Sequence, residues 1–364
     1  MVTRPLNPRG KALATIALVM IVRDEAASIG RCLQSVSRFV DEMILLDTGS
    51  VDATVSIAES LGAKVFHWTW QNDFAAARNQ ALKHSSADWN LVLDADEWII
   101  GDGSLLRQAV ASGPAGDGLF LGLLPIYSEF NLRAASQSLV QAEAEEQSPS
   151  SAVSCSWEAR LLPRDVRYVG RIHEQVQSDL PHRRLVVDIS HDGFLRSNLE
   201  QKKGRNRKLL QDAIADDPGD AYLHYQLGKD YEVYDEYALA VSCYEAALQW
   251  VQPAEGYRHD LVVRMIFCLK KAGLLDLGFQ FAADELPNWG HSPDFFFVFA
   301  DLLIDLAIAQ PERALPELLP LAKDCLLECL RIGDVPHLNG TVQGRGSNLA
   351  ARNLELLNQV MASF

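Results

Sequence analysis

Two carboxylates one residue apart can grip a hard divalent cation through oxygen, and Asp94-Ala95-Asp96-Glu97 offers that arrangement. Mg2+ or Mn2+ held this way keeps several waters and recruits phosphates. It can then neutralise a departing nucleoside diphosphate as Lewis acid and template. An isolated Asp-x-Asp is also a common solvated turn. This one follows an apolar run, Trp89–Leu93, with the composition of a buried strand, which would carry the carboxylates to a sheet edge. Two more acidic groups end apolar runs in the same way: Arg23-Asp24-Glu25 after Thr15–Val22, and Asp47-Thr48-Gly49-Ser50 after Met43–Leu46.

The elements that would position these groups alternate. Ala26–Phe39 has helical periodicity, with Ile29, Cys32, Leu33 and Val36 on one side. Ser50 or Asp52 can cap a helix running to about Leu61, closed by Gly62. Lys64–His67 reads as a third strand, Phe74–Lys83 as an Ala-rich helix and Trp89–Leu93 as a fourth strand. Apolar strands alternating with helices imply a parallel sheet covered on both faces, and such sheets gather ligands at the carboxyl ends of their strands. Residues 101–133 are less regular. Residues 134–156 contain no aromatic, are rich in Ser, Gln, Glu and Ala, and are expected to form a mobile loop or insertion. Short strands are expected from Trp157 through His191.

From about Leu199 nearly everything has helical periodicity. Leu227, Gly228, Tyr231, Ala240, Tyr244 and Ala247 fall where a tetratricopeptide repeat wants Leu, Gly, Tyr, Ala, an aromatic and Ala. Small residues let the two helices of a unit approach, and large ones fill the groove. Segments 261–273, 294–309 and 314–332 read as degenerate helices of the same array, and Asn348–Ala362 as a capping helix. One unit cannot bury its own faces, so stacking is expected. The division is therefore residues 1–198 and 199–364.

Bulk properties narrow the function classes. The chain has 364 residues, 48% hydrophobic and 22% charged, which are globular values suited to two domains. A net charge of -15 disfavours nonspecific nucleic-acid binding, which runs on excess Lys and Arg. The cysteines are scattered without a CxxC, which fits a reducing cytosol rather than a disulfide framework. The expected location is cytoplasmic, with a peripheral seat on the inner membrane face as a variant. The run Leu13–Val22 follows Arg4, Arg9 and Lys11 as a signal peptide's would, but it is too short to span a membrane and Arg23-Asp24-Glu25 replaces a cleavage site. It reads as a buried first strand.

Four segments in order resemble an inverting family-2 glycosyltransferase of the GT-A fold. They are Val19-Met20-Ile21-Val22-Arg23-Asp24-Glu25, Asp47-Thr48-Gly49-Ser50-x-Asp52-x-Thr54, Asn72-Asp73-Phe74-Ala75-Ala76-Ala77-Arg78-Asn79 and Asp94-Ala95-Asp96-Glu97. Arg160-Leu161, Gly170-Arg171-Ile172-His173-Glu174 and Ile189-x-His191-x-Gly193-Phe194 extend the resemblance to about residue 215. The subgroup it is most similar to couples this domain to tetratricopeptide helices and includes sublancin-type peptide glycosyltransferases and lipopolysaccharide-core glucosyltransferase relatives. The resemblance implies a GT-A mixed sheet with helices on both faces, followed by an all-α tetratricopeptide-like domain. It implies Mg2+ or Mn2+, a nucleotide-sugar donor of the UDP-hexose type, and a peptide, saccharide or glycolipid acceptor. A homodimer through the helical domain is a further option.

Carried over residue by residue, Val22, Arg23 and Glu25 would line the base and ribose, and Asp47 would contact the same part of the nucleotide. Asp73, Arg78 and Asn79 would sit beside it, with Arg78 suited to a phosphate or to pairing Asp73. Asp94 would meet the ribose or sugar, Asp96 would be the principal metal ligand and His191 a further one. An inverting transfer needs a base opposite the leaving group. Glu174 is the first candidate and His173 its neighbour. On a strand only one of the two would face the cleft. Glu97 and Asp192 are alternatives, and a salt bridge from Glu174 to Arg171 or Arg160 is the structural reading of the same residue. Arg160, Arg164 and Arg167 could meet a diphosphate or line a solvated face, as could the run Lys202–Lys208. A competing function is a tetratricopeptide scaffold with a degenerate sugar-nucleotide domain. Intact Asp94, Asp96 and His173-Glu174 count against it. A nucleotidyltransferase would want a Gly-rich loop where Arg23-Asp24-Glu25 stands.

Overall fold

The structure, a computed structural model, describes residues 13–111, 118–131, 151–192 and 204–363. The chain divides into two compact units, residues 1–128 with 157–194 and residues 129–156 with 195–364. The boundary expected at 198/199 falls outside the described residues, as do positions 134–150 of the expected loop, Gly193-Phe194 and Lys202-Lys203.

The first unit is built on a mixed sheet. Its strands are β1 (Ile16–Val22), β2 (Glu42–Asp47), β3 (Lys64–His67), β4 (Trp89–Val92), β5 (Glu97–Ile99), β6 (Leu121–Asn131), β7 (Ser151–Pro163) and β11 (Ile189–His191), with β10 (His182–Arg184) beside β6. The order is β3-β2-β1-β4-β7-β6-β11-β5. The first four run parallel, while β7 pairs antiparallel with β4, β11 parallel with β6, and β5 antiparallel with β11. A separate hairpin joins β8 (Arg167–Val169) to β9 (Gln175–Gln177).

Both faces of the parallel part are buried. Leu18 and Met20 of β1 enter one core with Ile29, Cys32, Leu33 and Val36 of α1 (Ile29–Val36) and Ala58 of α2 (Thr54–Ser60). Ala17 and Val19 enter the other, with Ala75, Ala77 and Ala81 of α3 (Phe74–Leu82) and Tyr168 of the hairpin. Alternation along β1 thus feeds two cores, as an all-buried strand must. The small face of α3 is what lets it lie close on the sheet.

Several expectations change. Helix α1 starts three residues later than Ala26, after a turn in which Ser28 N and Ile29 N donate to Glu25 O (3.1 and 2.9 Å) and the Ala26 amide donates to Asp52 Oδ2 (3.1 Å). Asp52 does serve the start of α2, through Thr54 N (2.9 Å), whereas the Ser50 hydroxyl accepts from Asp24 N (2.9 Å). Within the stretch 101–133, the described residues are more regular than expected: they hold α4 (Ser104–Val110) and the long strand β6. Gly122 and Pro125 disguise β6 in the sequence, yet Gly122 has a packing reason, since a Cβ there would lie 2.8 Å from Leu161 Cβ on the adjoining strand. Residues 151–156, assigned to the loop, are the beginning of β7; they belong to the second unit, within which Ser154 and Cys155 pair with β12 (Thr341–Val342). Small side chains hide a strand when its order comes from backbone pairing.

Among the described residues the second unit carries eight long helices: α5 (Arg205–Asp216), α6 (Ala221–Val233), α7 (Tyr237–Trp250), α8 (Arg258–Lys271), α9 (Leu275–Trp289), α10 (Pro293–Ala309), α11 (Leu319–Ile332) and α12 (Asn348–Ala362). The repeat positions behave as their types demand. Ala240, Tyr244 and Ala247 are fully buried, and a Cβ at Gly228 would overlap the Tyr244 ring, so α6 and α7 close only because position 228 has no side chain. Asp220 caps α6 through Tyr222 N (2.8 Å) and Ser292 caps α10 through Phe295 N (3.0 Å), with Pro293 at the first helical position. The expected helix 314–332 begins as a π-helical stretch, Ala314–Leu318, before α11. No helix among the described residues is long and apolar enough to cross a membrane.

Candidate active site

Three loops meet at the carboxyl ends of β1, β2 and β4. The first two are interlocked. Asp24, at φ +54°, accepts from Val51 N (2.8 Å), and Glu25 N donates to Thr54 Oγ1 (2.7 Å). Val22 O accepts from both Thr48 N (2.9 Å) and the Thr48 hydroxyl (3.0 Å). Asp47 is 4% exposed and accepts from Gly49 N (3.2 Å) and Ser50 N (3.1 Å), with His67 Nδ1 at 3.3 Å. Burial raises its pKa, but the Ser50, His67 and Gly49 hydrogen bonds outweigh burial and hold the carboxyl below its usual range. Asp47 therefore builds the turn that follows β2, while the Arg23 side chain stays half exposed.

The third loop is wired by guanidinium groups. Arg78, 7% exposed on α3, donates from Nη2 to Asp94 Oδ1 (2.7 Å) and from Nε to Glu174, and lies over the Tyr168 ring. Its partner is thus not Asp73, which caps α3 through Ala76 N (2.8 Å). Arg160 of β7 donates to Glu97 Oε1 (2.5 Å) and sits 3.6 Å from Asp94 Oδ2. Glu97 Oε2 in turn accepts from Asp94 N (3.0 Å), which fixes the loop's shape. Burial raises the Asp94 carboxyl, and Arg78 and Arg160 pull it down further, below its ordinary value. Glu97 is almost fully enclosed, and burial pushes it up to about 7 against the pull of Arg160. The Asp94 side chain keeps 38% of its surface exposed and is the open face of the cluster.

Asp96 lies on the other side of that loop. Its Oδ2 is 3.5 Å from His191 Nε2, on the strand that pairs His191 with Glu97. His191 Nδ1 is 3.0 Å from Ser128 Oγ. Burial lowers the imidazole pKa, and the hydrogen bond and charge of Asp96 more than reverse this, so it is raised. Among the described residues no group of three or more His, Cys, Asp or Glu side chains is gathered to hold an ion. A cation at the Asp96–His191 pair would take two protein ligands and complete its shell with water and phosphate oxygens, the habit of Mg2+.

His173 and Glu174 lie on the turn between β8 and β9, not in a strand, so strand alternation does not choose between them. Positive φ at Gly170 (+92°) and His173 (+49°) folds the turn back. Phe74 N donates to Arg171 O (2.9 Å), docking the turn on the start of α3 and bringing Glu174 to Arg78 rather than to Arg171 or Arg160. Asn79 secures the same hairpin through both the carbonyl (2.8 Å) and amide (2.9 Å) of Tyr168, which commits its side chain to the fold. Asp192 pairs with Arg31 (2.6 Å), whose guanidinium stacks on Trp98. Arg164 and Arg167 spend their guanidiniums on backbone carbonyls of Ala87 and Val166, and Arg207 is paired with Asp230 and Glu236. Ser128, Tyr168, Arg31 and Trp98 escaped the sequence reading. Tyr168 had a signal, its place just ahead of the Gly170–Glu174 motif, whereas Ser128 had none.

Residues 17–129 match the profile of Glycosyl transferase family 2. That match lies in the amino-terminal part of the chain. A TPR repeat-containing protein of Synechococcus elongatus is 33% identical over 282 residues, 73% of this chain and 64% of that protein. The SPbeta prophage-derived glycosyltransferase SunS of Bacillus subtilis is 22% identical over 274 residues, 72% of this chain and 61% of SunS. The chain thus spans less than two thirds of the length of these curated relatives. A solved structure of glucosyl-3-phosphoglycerate synthase from Mycobacterium tuberculosis, with Mn2+, UDP-glucose and phosphoglyceric acid, is 27% identical, aligns with 32% of this chain and 44% of its own, and gives a TM-score of 0.26. The family match contains three of the interlocked pieces in full, the loops after β1, β2 and β4, while Glu174 and His191 lie beyond it in sequence.

Proposed function

We propose that this chain is an inverting glycosyltransferase that moves a hexose from a UDP-type donor to a peptide, saccharide or glycolipid acceptor. The observation that carries the proposal is the family 2 loop Asp94–Glu97, held at the sheet's carboxyl edge by Arg78 and Arg160, with Asp96 turned to His191. Asp96 and His191 would hold Mg2+ or Mn2+, which supplies charge neutralisation for the departing diphosphate. The loops 22–25 and 47–54 would cradle the base and ribose, with Asp47 shaping the turn. Asp94, the exposed carboxylate of the cluster, would accept hydrogen bonds from ribose or sugar hydroxyls.

Glu174 is the proposed base. Arg78 bridges it to Asp94, so it stands one guanidinium away from the donor side of the cleft. It would take the proton of the acceptor hydroxyl as the bond to the anomeric carbon forms, with His173 oriented by the same turn. A thiol acceptor would need less of this help, because thiols ionise more readily. The helical unit would recruit the acceptor, since stacked helix pairs create extended binding surfaces.

A thermal-shift panel of nucleotide sugars with Mn2+ tests the proposal. Stabilisation by UDP-sugars that requires the cation and is lost in Asp96→Ala supports it. No nucleotide binding at any Mn2+ concentration defeats it.

A further inference from the structure

The cation pair contains one residue whose chemistry is incomplete without a neighbour. A neutral imidazole carries one proton, and it can offer Nε2 to a cation only when that proton sits on Nδ1. On His191, Nε2 faces Asp96 and Nδ1 faces Ser128 Oγ at 3.0 Å. Ser128 is 6% exposed and lies directly opposite His191 in the β6–β11 pairing, so the sheet register fixes the contact. A serine hydroxyl can accept as well as donate, which a main-chain N–H could not do.

We propose that Ser128 is the positioning residue for cation binding, accepting a hydrogen bond from His191 Nδ1–H and so directing Nε2 to a cation shared with Asp96. The inference rests on the cation assignment of Asp96 and His191 above and adds the residue that sets the tautomer. Strand β11 brings His191 alongside Glu97 of β5 on one flank and Ser128 of β6 on the other, so one short strand receives its ligand geometry from both neighbours.

The test titrates Mn2+ alone into the full chain and follows the free ion by electron paramagnetic resonance. Ser128→Ala should raise the Mn2+ Kd roughly 10- to 100-fold, the usual effect of losing a residue that orients a metal-bound histidine. Ser128→Thr, which keeps the hydroxyl, should stay near wild type. In 15N-histidine spectra of the Mg2+-loaded protein, the His191 proton should sit on Nδ1. If His191→Ala weakens Mn2+ binding and Ser128→Ala does not, the positioning role is wrong while the cation assignment stands. If His191→Ala binds Mn2+ as wild type does, or the wild type binds none, the cation assignment fails and takes the inference with it. Should Ser128→Ala not fold, the wild-type tautomer and the Ser128→Thr affinity still decide: a proton on Nε2, or a Thr variant as weak as a loss of the hydroxyl, overturns the role of Ser128.

Discussion

Replacing Arg78 by Met would leave its two carboxylate partners in very different positions. Glu174 has 9% of its side chain exposed, and Arg78 is the cation it is bonded to. Asp94 has 38% exposed and keeps Arg160 at 3.6 Å. Removing one partner of a buried pair costs about 3–5 kcal/mol, because the other charge is stranded away from water. The Asp94 contact, screened by solvent, adds no more than about 1 kcal/mol. Arg78→Met should therefore destabilise the first unit by about 3–5 kcal/mol, nearly all of it through Glu174. Arg78→Met combined with Glu174→Leu should recover most of that loss, since neither charge remains buried. Urea unfolding of the wild type, Arg78→Met, Glu174→Leu and the double variant at pH 7, followed by tryptophan fluorescence, closes the double-mutant cycle. Additive losses, with no coupling between 78 and 174, would refute the claim that Arg78 is what seats Glu174.

Other outcomes follow from the same contacts. Gly228→Ala should lower the melting temperature of the helical unit despite the better helix propensity of alanine, because overlap with Tyr244 costs about 1–3 kcal/mol against a gain of about 1 kcal/mol; Tyr244→Leu in the same background should restore part of it. Burial pushes the Asp260 carboxyl up, but Arg264, Lys229 and the Tyr225 hydroxyl hold it below its usual range. A depressed folded-state value means stability that is present above the ordinary aspartate pKa of about 3.9 and is lost as pH falls from there through the lower folded-state value, so Asp260→Asn should flatten the decline in denaturant midpoint below about pH 4. Burial pushes the Cys243 thiol up to about 11 and Cys325 up to about 12, so neither should react with dithionitrobenzoate at pH 8 until the chain unfolds.

The parallel strands and the helices over them are legible because their cores are written as apolar runs and as one apolar helix face: Ile29, Cys32, Leu33 and Val36 share one face by their spacing and are all buried. The meeting of acidic groups at strand ends was legible for the same reason. Strand β6 was not, because Gly122 and Pro125 break its pattern and its reason, close approach to Leu161, belongs to a strand far along the chain. The start of β7 was not, because Ser and Ala carry no strand signal and the pairing with Thr341–Val342 supplies the order. Within the site, residue types suggested roles, and only the fold supplied partners. Arg78 joins Asp94 to Glu174 across a hairpin turn, and Ser128 meets His191 across a sheet register, contacts separated by 96 and 63 residues in sequence.

The most direct test of the proposed activity is Mn2+-dependent hydrolysis of a UDP-hexose without acceptor, comparing wild type with Asp96→Ala. Slow turnover by the wild type that disappears with chelator and in Asp96→Ala, while the variant keeps its fold by circular dichroism, is the predicted result. Undiminished hydrolysis in Asp96→Ala would contradict the assignment of the cation to that loop.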